Sequence, residues 1–305
     1  MEGNIVLMTR HIRNLHGFSH PFLAEGNDGR WYVVKLCSDQ TGANLLFNES
    51  AGSELYRACG LAVPVWKPVR VTDKFLDDNL ESWPMSSNGR QRPKAGLAFG
   101  SRFLGEEGVP LLEILPGTYF SRVTNATSFW LAWLIDICAH HADNRQVIFQ
   151  ESKDRRLRAV FVDHGHVFGG PAGGARPNFM VSSYLDTRIY QHASFHDVAG
   201  FFSTIKTLDV DRLWQQVNVI PEEWKTTSAL RVFADCLNRL EDAKLLQGIA
   251  DKMTDALSRG TNGEPTDHHT KRGAAPEVLR FGIPGTEPGA NPVNGALCSR
   301  AYNPR

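Results

Sequence analysis

Two aspartates, Asp143 and Asp163, flank a stretch whose residue types predict an antiparallel β-hairpin. Residues 146–149 (Gln-Val-Ile-Phe) and 157–162 (Leu-Arg-Ala-Val-Phe-Val) are β-branched and aromatic, and Glu-Ser-Lys-Asp-Arg-Arg between them is polar enough to turn the chain. A turn near Lys153 and Asp154 sets positions whose numbers sum to about 307 opposite each other, so both carboxylates arrive at one end. Phosphoryl transfer needs such a pair: one carboxylate orients a hydroxyl and the other holds a divalent ion on the phosphates. A metal-dependent phosphohydrolase is the rival chemistry, because His140, His141, His164 and His166 surround the same aspartates and could complete a two-metal cluster.

The elements upstream must supply what a hairpin alone lacks. Asn27-Asp28-Gly29 is a hairpin signal, and the following strand, 31–36, carries Lys35 near its end. Residues 41–59 predict a helix, capped by Thr41 or Asn44 and stopped by Gly60 with Pro64 beyond. Leu45, Gly52, Leu55, Tyr56 and Cys59 share one face of it, and Glu49 lies on that face too. A carboxylate on a packed face needs a partner, and Lys35 is the natural one; the alternative is a Glu49 at the helix edge, reaching water. The turn His16-Gly17-Phe18-Ser19-His20-Pro21 is either a one-glycine phosphate loop or an ordinary turn.

Further along, 63–75 predicts one or two strands and 77–94 a polar surface loop. Residues 95–104 predict a last strand running into a hinge, with Gly96 and Gly100 as flexible points. Residues 129–138, with Asn125 or Thr127 as cap, form a helix apolar on most sides and therefore central and buried. Gly169 to Gly174 predicts a mobile loop beside Asp163, with Ser182 and Ser183 beyond it as exposed serines open to autophosphorylation. Helical patterns recur over 196–206, 210–217, 227–240 and 242–257, and Pro221 sits early in what reads as a helix start. From 259 to 305 the composition turns to Gly, Pro, Asn and Thr without periodicity, the pattern of a disordered tail.

The chain has 305 residues, 42% hydrophobic and 22% charged, enough for a sizeable core. Its 33 basic and 33 acidic residues balance, which gives no electrostatic case for binding nucleic acid or a membrane surface. Five scattered cysteines without a CxxC pair favour free thiols in a reducing compartment. The first residues lack a signal peptide's basic and apolar regions, and the most apolar segment is about half the ~20 residues of a membrane span. A cytoplasmic protein is the expectation.

In order, Tyr32-Val33-Val34-Lys35, Asn48-Glu49, Gly60-Leu61-Ala62-Val63-Pro64, the run from Ala142 through Asp143-Asn144-Arg145-Gln146 to Phe149, and Asp163-His164-Gly165-His166 resemble the HipA-like kinase family in its compact form. Ile220-Pro221-Glu222-Glu223-Trp224 adds a weaker match, and the resemblance spans about residues 10–255. It implies an α+β, protein-kinase-like fold of two lobes: a small β-rich lobe with one helix (1–104), a mainly helical lobe (105–258), then the tail (259–305). It implies ATP and Mg²⁺ as cofactors and a Ser or Thr hydroxyl of a protein as acceptor. Lys35, held by Glu49, would contact the α- and β-phosphates; Asp143 would be the base or orient the acceptor; Asp163 would bind Mg²⁺, with Gln146 favoured over Asn144 as a second ligand. Arg145 would neutralise phosphate charge or brace its loop. Gly17 and Ser19 would cover the phosphates, and Phe99 and Gly100 would contact the nucleotide. The phosphate turn lacks repeated glycines, and Asp163 is followed by His-Gly where protein kinases have Phe-Gly. Those departures leave room for a pseudokinase acting as a binding or regulatory module.

Overall fold

Alternating apolar and polar residues build the first part of the chain into strands. The computed structural model describes residues 5–38, 42–86, 89–105, 111–171, 182–192 and 195–261. Strands β1 (Val6–Asn14), β2 (Phe22–Gly26), β3 (Trp31–Lys35), β4 (Trp66–Val71) and β7 (Gly96–Arg102) close into a barrel in the order β1-β2-β3-β7-β4. Neighbours are antiparallel except at the closure, where β1 meets β4 in parallel, Val6 opposite Val69. Inward residues, among them Val6, Phe22, Tyr32, Val34, Val69, Val71 and Ala98, form the barrel's own core. Gly29 takes φ +72° in the β2–β3 turn, a conformation that glycine adopts without a Cβ clash.

Several local expectations need correcting. The stretch 63–75 holds one strand, β4, and then a second, short helix, α2 (Asp73–Asp78), whose start is capped by Thr72 Oγ1 accepting from Phe75 N at 3.1 Å. The first part therefore carries two helices rather than one. Residues 77–94 are not a plain loop. They hold the end of α2, a 3₁₀ turn (Leu80–Ser82) and a hairpin of β5 (Met85–Ser86) and β6 (Gly89–Arg90).

The long helix α1 (Gly42–Ala58) ends as its sequence predicts: Gly60 takes φ +82°, and Leu61 N donates to Tyr56 O at 3.0 Å. At its start, Thr41 lies outside the described residues, and Asn44 Oδ1 accepts from Thr226 Oγ1 instead of capping.

Helix α3 (Ser128–Cys138) is buried on nearly every side. Thr127 occupies its cap position without a side-chain bond, and Asn125 bonds both ways with the Ala159 backbone at 2.9 Å. Strand β8 (Leu111–Leu112), which precedes α3, and strands β9 (Gln146–Glu151) and β10 (Leu157–Val162), which follow it, make a sheet in the order β10-β9-β8. The hairpin pairs Gln146 with Val162 and Glu151 with Leu157, one step from the predicted register. Arg155, at φ +64°, turns the chain.

Helices α4 (Phe195–Lys206), α5 (Val210–Asn218), α6 (Thr227–Glu241) and α7 (Ala243–Thr261) complete the body. Pro221 opens only a 3₁₀ turn (Glu222–Trp224); Thr226 caps α6 by accepting from Ala229 N. Ser182 and Ser183 are 0% and 3% exposed, which contradicts exposed phosphorylation serines. Residues 172–181 of the glycine-rich loop, and 262–305 of the predicted tail, lie outside the described residues.

Most apolar side chains of α1 join the large core of the helical body, which Phe99 of β7 also enters, and none joins the barrel's interior core. Leu46, Phe47, Ala51, Leu55 and Tyr56 pack with α3, the hairpin and α6, and Phe47 meets the rings of Phe168 and Phe233 at 6.3 Å each.

Candidate active site

Lys35 ends β3, where register sets it opposite Phe99 of β7. Its ammonium donates to Glu49 Oε1 on α1 and, at 2.8 Å, to Asp163 Oδ1 just past β10. Glu49 Oε2 also accepts from His164 N at 3.1 Å. Lys35 is 6% exposed and Glu49 2%, so these charges persist only by satisfying one another. Burial alone would lower the Lys35 pKa, but Asp163 and Glu49 outweigh it and raise it above the ordinary lysine value. Burial pushes Asp163 up, yet Lys35 outweighs that and holds it well below the usual carboxylate range. Glu49 goes the other way: burial pushes it up to about 7 against the pull of Lys35, with Asp163 adding to the rise. One cation thus serves two carboxylates, and Asp163 is the one it keeps ionised.

Local backbone makes this convergence possible. Asp163 takes φ +58°, in the left-handed region that costs a non-glycine residue about 1–3 kcal/mol and clusters at functional sites. Gly165 lies where a Cβ would stand 2.4 Å from Leu45 Cδ1 and 2.8 Å from Glu49 Oε1, and at Gly52 a Cβ would stand 2.7 Å from His164 Cβ. Both glycines let α1 and the loop after β10 come together.

The loop before β9 is held from behind. Asp143, half-buried, accepts from Asn144 N at 2.7 Å, and His141 Nδ1 lies 2.5 Å from Asp143 O. Arg145, 3% exposed, is wholly engaged. Its Nε donates to Asp136 Oδ2 at 3.0 Å, Nη2 to Tyr56 Oη at 2.8 Å and to Asp136 Oδ1, and Nη1 to Val162 O at 3.1 Å. Tyr56 Oη donates to Asp136 Oδ1 in turn. These partners, Asp136, Tyr56 and the end of β10, tie Arg145 to the structure behind its loop. Nη1 also lies 3.3 Å from His164 Nδ1, which makes that nitrogen an acceptor and puts the imidazole proton on Nε2. Burial and the Arg145 charge drop His164 well below the usual histidine value, and burial takes His141 down to about 4. Both imidazoles are neutral.

Sequence reasoning passed over Asp136 and Tyr56. The available signal was a single carboxylate inside Trp-Leu-Ala-Trp-Leu-Ile-Asp-Ile-Cys, because a charge in so apolar a helix demands a buried partner.

A cleft of about 1030 Å³ opens between the barrel and the helical body. Of the sequence-predicted residues, Lys35, Glu49, Phe99, Arg145, Gln146 and Asp163 line it, and so does Asn144. Asp143, Gly17, Ser19 and Gly100 are not among its lining residues, although His16 and Pro21, which bracket the turn, are. Gly100 lies in the barrel wall. It sits inside β7, opposite Val34 and Lys67, and a Cβ there would stand 2.3 Å from Val69 Cγ1. It makes room for barrel packing rather than a hinge.

The oxygen donors of Asp163, Gln146 and Asn144 suit a hard divalent cation that keeps its waters and phosphate ligands. Among the described residues no group of three or more His, Cys, Asp or Glu is placed to hold a metal. His141 and His164 are buried against Asp143 O and Arg145, which disfavours the two-metal hydrolase. No helix among the described residues is long and apolar enough to cross a membrane.

Comparison with known proteins bears on the fold and the family. No curated protein matches the chain. Among solved structures, the Golgi casein kinase is similar at 13% identity with a TM-score of 0.51, over 83% of this chain and 75% of its own. A structure of that kinase with Mn/ADP bound gives 14% identity and a TM-score of 0.47, over 81% and 72%. The proinflammatory kinase CtkA of Helicobacter pylori gives 8% and 0.47, over 82% and 97%. At these identities the likeness is one of fold, a kinase-like α+β fold. Residues 6–109 match the family model described as HipA-like kinase, the same family that the motifs resemble.

Proposed function

We propose that the chain is an ATP- and Mg²⁺-dependent kinase that transfers the γ-phosphate to a hydroxyl, a Ser or Thr of a protein. One observation carries the proposal: the Lys35 ammonium bonds both Glu49 and Asp163 in the wall of a nucleotide-sized cleft. In this reading the barrel and α1 (within 1–104) and the helical body (within 105–258) are the two lobes, and ATP lies between them. Lys35 turns from Asp163 to the α- and β-phosphates, still oriented by Glu49. Asp163 and Gln146 or Asn144 would hold the Mg²⁺, which when bound would neutralise charge developing on the phosphates. Asp143 accepts or orients the acceptor's proton, and Arg145 fixes the loop that carries it.

The turn 16–21 covers the phosphates with backbone N–H groups, and Phe99 flanks the base. A binding module without turnover is the second reading, favoured by the absence of Asp143 from the cleft's lining.

ATP with Mg²⁺ raises the thermal midpoint of the purified chain, by the equivalent of about 2.7 kcal/mol at a hundredfold excess over Kd. Asp163→Asn removes that Mg²⁺-dependent shift, and Asp143→Asn keeps the shift but loses turnover. No shift with ATP and Mg²⁺ sinks the kinase, and a shift without turnover in the unsubstituted chain selects the binding module.

A further inference from the structure

Building on this phosphoryl-transfer reading, we propose that Tyr56, Asp136 and Arg145 are positioning residues. They weld the Glu49 helix to the loops that carry Asp143 and Asp163, which leaves Lys35, on the barrel, as the member of the site that moves. The hydrophobic partition is the first observation. Leu46, Phe47, Ala51, Leu55 and Tyr56 of α1 belong to the core of the helical body, which takes in Phe99 of β7 and is edged by Trp66 and Leu97, while the barrel interior closes around a separate core.

The polar contacts divide the same way. On the helical side, Asn48 Nδ2 donates to Gly165 O and Val167 O at 3.0 and 2.8 Å, and Glu49 accepts from His164 N. Asn44 bonds Thr226, and Tyr56 joins Asp136 and Arg145. Toward the barrel strands, α1 makes side-chain bonds from Glu49 to Lys35 and from Glu54 to Trp66 Nε1, the latter at 2.7 Å.

Tyr56, Asp136 and Arg145 come from three separate elements, and each is 3% exposed or less. Their network is closed: Tyr56 donates to Asp136, Arg145 donates to both, and the guanidinium lies 4.8 Å from the Tyr56 ring centre. A fully satisfied buried network of this kind has one low-energy arrangement. It fixes α1 against Arg145, two residues from Asp143, and through Val162 O and His164 against the loop of Asp163. Closure of the barrel onto nucleotide therefore changes the Lys35 contacts while Glu49, Asp143 and Asp163 keep their mutual geometry.

Tyr56→Phe tests this with little risk to folding, since it deletes one hydroxyl and keeps the ring on His164. ADP formation from ATP with Mg²⁺ is expected to lose at least about tenfold in kcat, with KM for ATP within about threefold, because misplacement of catalytic groups acts on turnover. In hydrogen exchange, the amides of 45–52 and 163–168 are expected to speed up together, with β2 and β3 unchanged. Asp136→Asn, which strips the charge facing Arg145, should give the same pattern more strongly.

Unchanged kcat in Tyr56→Phe, an effect confined to KM, or equal acceleration in β3 overturns the proposal. An unsubstituted chain that forms no ADP overturns the kinase itself, and the exchange pattern then decides alone whether the three elements are welded.

Discussion

Replacing Lys35 with Met keeps the aliphatic stem and deletes the charge between Glu49 and Asp163. Glu49 is 2% exposed and cannot turn to bulk water, whereas the Asp163 side chain is 24% exposed in the cleft; removing one partner of a buried ion pair costs about 3–5 kcal/mol. The cost depends on pH. Glu49 already titrates at about 7, above its ordinary 4.5, with Lys35 pulling it down; Lys35 is also what holds Asp163 below 3.8. Without the ammonium both carboxylates rise.

A carboxylate whose folded pKa exceeds its unfolded value keeps a proton in the native state that the unfolded chain has lost. Stability is then full below the unfolded pKa and falls as pH rises through the folded one, by about 1.4 kcal/mol for each unit of separation. The Met variant should therefore be less stable than the unsubstituted chain already at pH 5, and the deficit should widen by pH 8.5 toward or beyond the ~3–5 kcal/mol of a broken buried ion pair. Urea unfolding at both pH values, without nucleotide or divalent ion, reads the difference. A deficit equal at the two pH values, or no deficit at pH 8.5, refutes the account of one buried cation shared by two carboxylates.

Two more outcomes follow from the same geometry. His141 titrates near 4 rather than 6.5 because it is buried. It contributes stability fully present above pH 6.5 and lost as pH falls toward 4, about 3 kcal/mol at most. His141→Gln should flatten urea-measured stability across that window, and an unchanged slope would remove His141 from the account. Gly165→Ala places a methyl 2.4 Å from Leu45 Cδ1 and 2.8 Å from Glu49 Oε1. Overpacking there should cost about 1–3 kcal/mol and weaken the ATP-induced thermal shift. A variant as stable as its parent would mean that the helix and the loop are not in close contact.

What the sequence made legible was local. The hairpin could be read because β-branched runs flank one polar turn, and Lys35 and Glu49 because a charge on a packed element asks for a partner. Gly60 could be read as a helix stop because its conformation depends on the residue itself.

The rest depended on neighbours far along the chain. Gly100 read as a hinge because a glycine inside a strand is ambiguous until Val69 is seen beside it. Ser182 and Ser183 read as exposed because they are polar, yet both are buried in a segment that pairs with Arg145 far along the chain. The partners of Asp136 lie 80 and 9 residues away, a spacing that no periodic pattern encodes. The short helix after β4 was missed although Thr72 offered a cap, since six residues are too few to show a period.

The closure of the barrel has a consequence for how other molecules can approach this part of the chain. An open sheet leaves a row of unpaired amides along its rim, and foreign peptides or sister chains can extend it by adding a strand. Here β1 and β4, which would have been the rims, bond to each other at Val6 and Val69. The barrel offers little template for such annealing. A molecule that recognises it must do so through side chains on its outer surface, and self-association by strand exchange is blocked at that seam.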